Sequence, residues 1–225
     1  MEKFNKIIKD PIIQRTYSEI ENFEDETGGI AYHNFNHVMN VALSVESLLT
    51  DLACDKIFIE EAMIAAILHD LGSLDGKEGH TVRSFNFAKH YLKENGIKLV
   101  YENLVLDAII THSNGFESDN LMALALIISD KLDIKSTRIS KAGLNVHGLR
   151  QLKHMNDITL EIKEGILEVN FLSDEAMNQA ELEQFYFMDK VFKSIQAFAD
   201  KVNLVPIVNL NEKPWDVFTK GGSNE

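Results

Sequence analysis

Proline occurs only at positions 11, 206 and 214 of the 225 residues, so no helix-breaking ring interrupts the chain between Pro11 and Pro206. Long helices can therefore run between few breakers, and apolar spacing shows where they lie. Val38, Val41, Ala42, Val45, Leu48, Leu49 and Leu52 recur at helical intervals after Asn36, a candidate N-cap. A second helix is predicted from Phe58 to about His69, with Glu60 and Glu61 in its first turn complementing the dipole and Leu71-Gly72 as its end. Others are predicted over Glu78 to Asn95, Leu99 to Thr111, Asn120 to Lys135 and Glu175 to Val202. The expected fold class is all-α, a helical bundle.

One stretch departs from this period. Ile158, Leu160 and Ile162 alternate with polar residues, as do Leu167, Val169 and Phe171 after Lys163-Glu164-Gly165. That pattern predicts a small β-hairpin near 157–171, packed on the helical body. One domain is expected over 1–225: a helical core at about 30–140, then hairpin, helix and tail over 141–225. The tail beyond Pro206, including Trp215, is expected to wrap the surface, with Lys220 to Glu225 frayed. Hairpin or tail is expected either to close a pocket or to mediate self-association into a homo-oligomer.

A formal net charge of -13 argues against binding duplex nucleic acid or anionic membrane, where Lys and Arg must neutralise phosphates. It leaves room for a small phosphorylated substrate, because a divalent cation supplies positive charge locally. The single cysteine, Cys54, cannot form an internal bridge. Met1 to Pro11 carries no continuous apolar run, and Leu121 to Ile128 is too short to span a bilayer. The expected location is cytoplasmic.

The residues that carry chemistry intrude into apolar helices. His69 and Asp70 follow Ala62, Ala65, Ala66 and Leu68; His112 follows Ala108, Ile109 and Ile110; Asp130 follows Leu124 to Ile128. A buried unpaired carboxylate costs several kcal/mol, roughly, unless it is paired or ligating. Together with His33, His37 and His80, these residues sit on five predicted helices or their ends. Imidazole and carboxylate suit divalent metals, and helical bundles hold metals by projecting such groups inward.

The order His37, His69-Asp70, Asp130 resembles the HD-domain superfamily of metal-dependent phosphohydrolases, over about Tyr32 to Arg138. The resemblance implies that these four residues hold one metal on a helical core. It further implies that His80 and His112 hold a second, with Asp70 as bridge. Tyr32-His33-Asn34 followed by His37 resembles an element of cyclic-nucleotide phosphodiesterases in which the first His donates a proton to the leaving oxygen, a role carried onto His33. The expected activity is hydrolysis of a phosphoester or phosphoanhydride, with a nucleotide the favoured substrate, by a metal-activated water. Two divalent ions are expected, iron or manganese ahead of magnesium, nickel, cobalt or zinc. Adjacency makes Lys131 and Arg83 candidate phosphate contacts.

Plainer readings stand beside these. His80 also reads as a solvated helix-start residue, His33 as a loop residue capping the next helix, Lys131 as a partner of Asp130 or Asp133, and Arg83 as surface. The acidic run Glu19 to Glu26 reads as a solvated face, and His90, His147 and His154 as surface or structural. Two other functions use the same residues: a diiron oxygenase resembling inositol oxygenase, and a regulatory module that binds a nucleotide without turnover.

Overall fold

Two helices that are apolar on every side take the centre of the molecule, because a helix without a polar face must be surrounded. The computed structural model describes residues 1–218; the segment expected to fray, 220–225, lies outside the described residues. Helix α4 (Lys56–Leu68) is buried throughout Ile59 to Leu68, and α7 (Leu121–Leu132) from Met122 to its end. Around them pack α1 (Glu2–Ile8), α3 (Phe35–Asp51), α6 (Glu102–Thr111) and α9 (Phe187–Lys201). α2 (Pro11–Thr27) and α5 (His80–Glu94) flank the turn that follows α4.

Local chemistry explains several boundaries and corrects others. Asn34, not Asn36, caps α3: its side chain accepts from His37 N at 3.1 Å. Asp55 caps α4 through Ile57 N and Phe58 N, so the helix starts early and Glu60 and Glu61 fall beyond its first turn. They are buried acceptors instead. Glu61 takes Val100 N at 2.8 Å and Tyr101 N at 2.6 Å, while Glu60 takes Phe4 N at 3.1 Å. Gly72 is no helix terminator either, since a 3-10 turn (Leu71–Asp75) follows α4. A Cβ on Gly72 would lie 2.4 Å from His80 O and 2.5 Å from Ser84 N. Only glycine lets this turn sit against the start of α5.

The all-α expectation needs correction in the C-terminal third. The hairpin is there, with β1 (Met155–Lys163) and β2 (Ile166–Ser173) paired antiparallel and longer than predicted. The tail does not wrap the surface: β3 (Val205–Leu210) joins β2 in parallel and β4 (Lys213–Pro214) follows, making a four-stranded sheet. Trp215 is buried edge-on between Phe171 and Phe192, with Nε1 donating to Glu183 at 2.8 Å. The helix predicted over 175–202 is two, the short α8 (Gln179–Leu182) and α9. No helix of the described residues is long and apolar enough to cross a membrane.

Candidate metal centre and its cavity

Helix ends bring the polar intrusions to one place. His69 and Asp70 leave the C-terminus of α4, His112 leaves that of α6, and Asp130 lies in the last turn of α7. His37 stands in the first turn of α3, and His80 opens α5. The C-terminal ends of α4 and α6 carry partial negative charge, which favours a cation there.

Each histidine is oriented by its Nδ1. His69 Nδ1 is 2.7 Å from Ala66 O, and His112 Nδ1 is 2.7 Å from Ile109 O, both carbonyls that the helix end leaves unpaired. His80 Nδ1 is 2.7 Å from Lys77 O. His37 Nδ1 is 2.7 Å from Asp133 Oδ2, and Asn40 holds the other Asp133 oxygen at 3.1 Å. These oxygens only accept, so Nδ1 donates and Nε2 is the ring atom turned inward in each case.

The inward atoms then oppose one another. His37 Nε2 lies 3.2 Å from Asp130 Oδ1 and 3.7 Å from Asp70 Oδ2; His69 Nε2 lies 3.3 Å from Asp70 Oδ2 and 3.7 Å from Asp130 Oδ1. Both nitrogens are buried without a hydrogen-bond partner. On the other side, His80 Nε2 and His112 Nε2 face each other at 3.0 Å, with Asp70 Oδ1 at 3.5 and 3.6 Å. Ser113 Oγ reaches both, at 3.3 and 3.4 Å, but has one proton to offer. Lone pairs packed in this way need an electrophile between them. Burial pushes the His80 pKa down to about 4 and lowers that of His112, so protons do not fill the second group near neutral pH. For His69, burial opposes protonation, but Asp70 and Asp130 prevail and raise the pKa to about 9. The donors fit a divalent cation in two sets, His37, His69, Asp70 and Asp130, and Asp70, His80 and His112.

A cavity of about 470 Å³ opens over this cluster. His33, Asp70, His80, His112 and Asp130 reach it, as do Lys77, Lys131, Arg138 and Lys190. Lys131 Nζ pairs with Asp130 Oδ2 and stands 5.9 Å from the Phe187 ring centre. Arg83 is not brought to the cavity: its guanidinium donates to the carbonyls of Gly72, Gly76 and Glu78, bracing the turn ahead of α5. Neither the hairpin nor Trp215 lines the cavity; the wall from the C-terminal third is Leu149, Leu152, Phe185, Tyr186, Phe187 and Lys190.

Sequence reasoning missed Glu24 and Asp133. Glu24 belongs to the supposedly solvated acidic run, yet it is 7% exposed, accepts His33 N at 2.8 Å and lies 2.5 Å from His33 Nδ1. Burial raises its pKa to about 7, while burial with Lys77 and Arg138 holds His33 well below the usual histidine range. The signal was spacing: Ile13, Tyr17, Ile20 and Glu24 form one buried stripe of α2. Asp133 follows Asp130 by three residues and orients His37 from behind.

A family model for the HD domain matches residues 34–191. Among solved structures the chain is similar to a predicted HD superfamily hydrolase from an uncultured Thermotogales bacterium. The two are 23% identical over 55% of this chain and 67% of that one, with a TM-score of 0.42. No curated protein matches the chain. Glu24 and His33 precede the matched residues, whereas His37, His69, Asp70, His80, His112 and Asp130 all fall within them, and with more than half its length matched the chain belongs to the HD domain family.

Proposed function

We infer that the protein is a metal-dependent hydrolase of a phosphoester or phosphoanhydride, with a nucleotide the favoured substrate class. One observation carries this reading. Four inward imidazole nitrogens and two buried carboxylates cluster beneath a cavity that Asp70, His80, His112 and Asp130 reach and whose walls hold Lys77, Lys131, Arg138 and Lys190. That cationic wall suits an anionic substrate and has no evident purpose for a neutral polyol, which sets the oxygenase alternative behind hydrolysis.

His37, His69, Asp70 and Asp130 would hold one divalent ion and His80, His112 and Asp70 a second, Asp70 lending a different oxygen to each set. When bound, such ions offset charge on phosphoryl oxygens and acidify a water. The rest falls to the chain. Lys131 and Lys190 steady the substrate anion beside Asp130. Phe187 and Tyr186 offer an apolar flank for the remainder of the substrate. His33 has Nδ1 engaged by Glu24, leaving Nε2 to exchange a proton with the leaving oxygen.

The test is a panel of phosphomonoesters, phosphodiesters and nucleotides with added manganese, iron, magnesium, nickel, cobalt or zinc. Wild type should release phosphate or alcohol in a metal-dependent way. Asp70→Ala should lose bound metal and turnover together; an Asp70→Ala protein that still turns over would remove the basis of the assignment.

A further inference from the structure

Arg138 is the cation that the metal cluster does not explain. It ends the 3-10 turn Ser136–Arg138 after α7, is 8% exposed, and lines the cavity. Its Nε donates to Asp133 O at 3.0 Å and lies 3.7 Å from Asp133 Oδ2. Its Nη1 is buried and has no hydrogen-bond partner. A buried N–H of a charged group left unpaired is expensive, so its retention beside a cavity points to a partner that arrives with the substrate.

Position identifies that partner's neighbourhood. Tyr32 N donates to Arg138 O at 2.9 Å, and Ala31 bridges Ile139, which sets Arg138 beside the His33 segment. Lys77 reaches the same cavity, with Nζ 3.3 Å from Ser73 Oγ and 3.6 Å from Asp70 Oδ1, and its side chain is 47% exposed. Arg138 and Lys77 each act electrostatically on His33, as neighbours across a shared space would. Lys131, paired with Asp130, and Lys190, whose Nζ donates to Asn114 Oδ1 at 3.0 Å, are the other two cations of the cavity. One phosphoryl group over the His/Asp cluster would engage these two and leave Arg138 Nη1 unused.

We propose that Arg138 and Lys77 form an anion subsite on the His33 side of the cavity, taking a second phosphoryl group of the substrate. The substrate class is then a diphosphate or bisphosphate compound. This rests on the phosphohydrolase reading and narrows it. A planar guanidinium with an unused edge suits a phosphate oxygen, and the Lys77 ammonium, a point charge with rotatable donors, adds to it without a fixed geometry.

The test is calorimetric binding to the full chain at a fixed free manganese concentration, comparing methylenebisphosphonate with methylphosphonate. Wild type should bind the bisphosphonate about tenfold or more tightly, the increment expected of one charged hydrogen bond. Arg138→Gln and Lys77→Gln should each lose about tenfold for the bisphosphonate and clearly less for methylphosphonate. Equal losses for both ligands would show that Arg138 acts through Asp133 and His37, and would overturn the subsite, as would no loss in either variant. Should Arg138→Gln fail to fold, Lys77→Gln carries the same comparison. Metal-dependent phosphate release measured on the same protein separates the two readings. Release without an Arg138-sensitive bisphosphonate preference sinks the subsite alone; the preference without release from any substrate sinks the hydrolase alone.

Discussion

Asp133 Oδ2 sits 2.7 Å behind His37 Nδ1, so the ring that faces the candidate metal is aimed by a carboxylate that is itself buried and held by Asn40. Burial opposes ionisation of Asp133, but the bond from His37 prevails and keeps its pKa below the usual carboxylate range. Asp133→Asn keeps the shape and removes the charge. The imidazole then loses its fixed tautomer and some basicity, and metal affinity should fall about 10- to 100-fold, as for other carboxylate–histidine pairs. Titrating metal into Asp133→Asn with a competing chelator measures this; unchanged affinity would mean that Asp133 does not tune His37.

Gly72→Ala asks whether close backbone approach delivers His80. The new Cβ would stand 2.4 Å from His80 O, 2.5 Å from Ser84 N and 2.6 Å from Arg83 Cβ, so backbone must move. The variant should lose about 1–3 kcal/mol of stability, the usual consequence of overpacking. α5 should shift outward and carry His80 away from Asp70 and His112, lowering metal bound per chain. Melting temperature and metal content of purified protein check both expectations. A Gly72→Ala protein with wild-type melting and full metal content would contradict the packing argument.

What the sequence made legible follows from how each residue announces itself. His69, Asp70, His112 and Asp130 stand out because each ends an apolar run that gives it no partner. Glu24 is hidden by its acidic neighbours, although its place on the Ile13, Tyr17, Ile20 stripe marks it as inward-facing. β3 is hidden by Pro206, which reads as a breaker. In the parallel ladder Val205 N donates to Gly165 O at 2.9 Å, while Val208 O accepts Trp215 N at 2.8 Å, so successive residues point to opposite edges. Pro206 shares the edge of Val208, away from β2, where no N–H is needed. The aromatic wall at Phe185 to Phe187 and the role of Arg138 depend on tertiary placement, which local pattern does not encode.

A pH dependence of turnover is expected from the Glu24–His33 pair. Glu24 keeps a proton up to about pH 7, and His33 is held low, so the pair carries one proton near neutrality and loses it as pH rises through about 7. If that proton goes to the leaving oxygen, kcat should fall above about pH 7. Glu24→Gln removes the site that stores it, and kcat should drop by about 10²–10⁴, the usual worth of a general acid. The falling limb near pH 7 should vanish with it. A Glu24→Gln profile with the wild-type limb intact would assign that limb to another group.

The clamp behind the aromatic wall is open to an acid-stability test. Glu181 accepts from Arg150 Nε at 2.6 Å and Nη2 at 3.0 Å, from Gln151 Nε2 at 2.9 Å and from Gly148 N at 3.0 Å. It thereby ties the turn at Gly148 to α8, and Gly148 leaves so little room that a Cβ there would meet Phe185 Cβ at 2.7 Å. The Arg150 bond is the chief cause that lowers the Glu181 pKa to about 2. A carboxylate depressed on folding stabilises the native state above its unfolded pKa, near 4.5, and that contribution is lost as pH falls toward about 2. Glu181→Gln should therefore be less stable than wild type at pH 7, and the gap should narrow steadily between pH 4.5 and 2. Denaturant melts across that range measure it. A gap that stays constant with pH would mean that Glu181 acts through shape alone, with its charge irrelevant to holding Phe185 against the cavity.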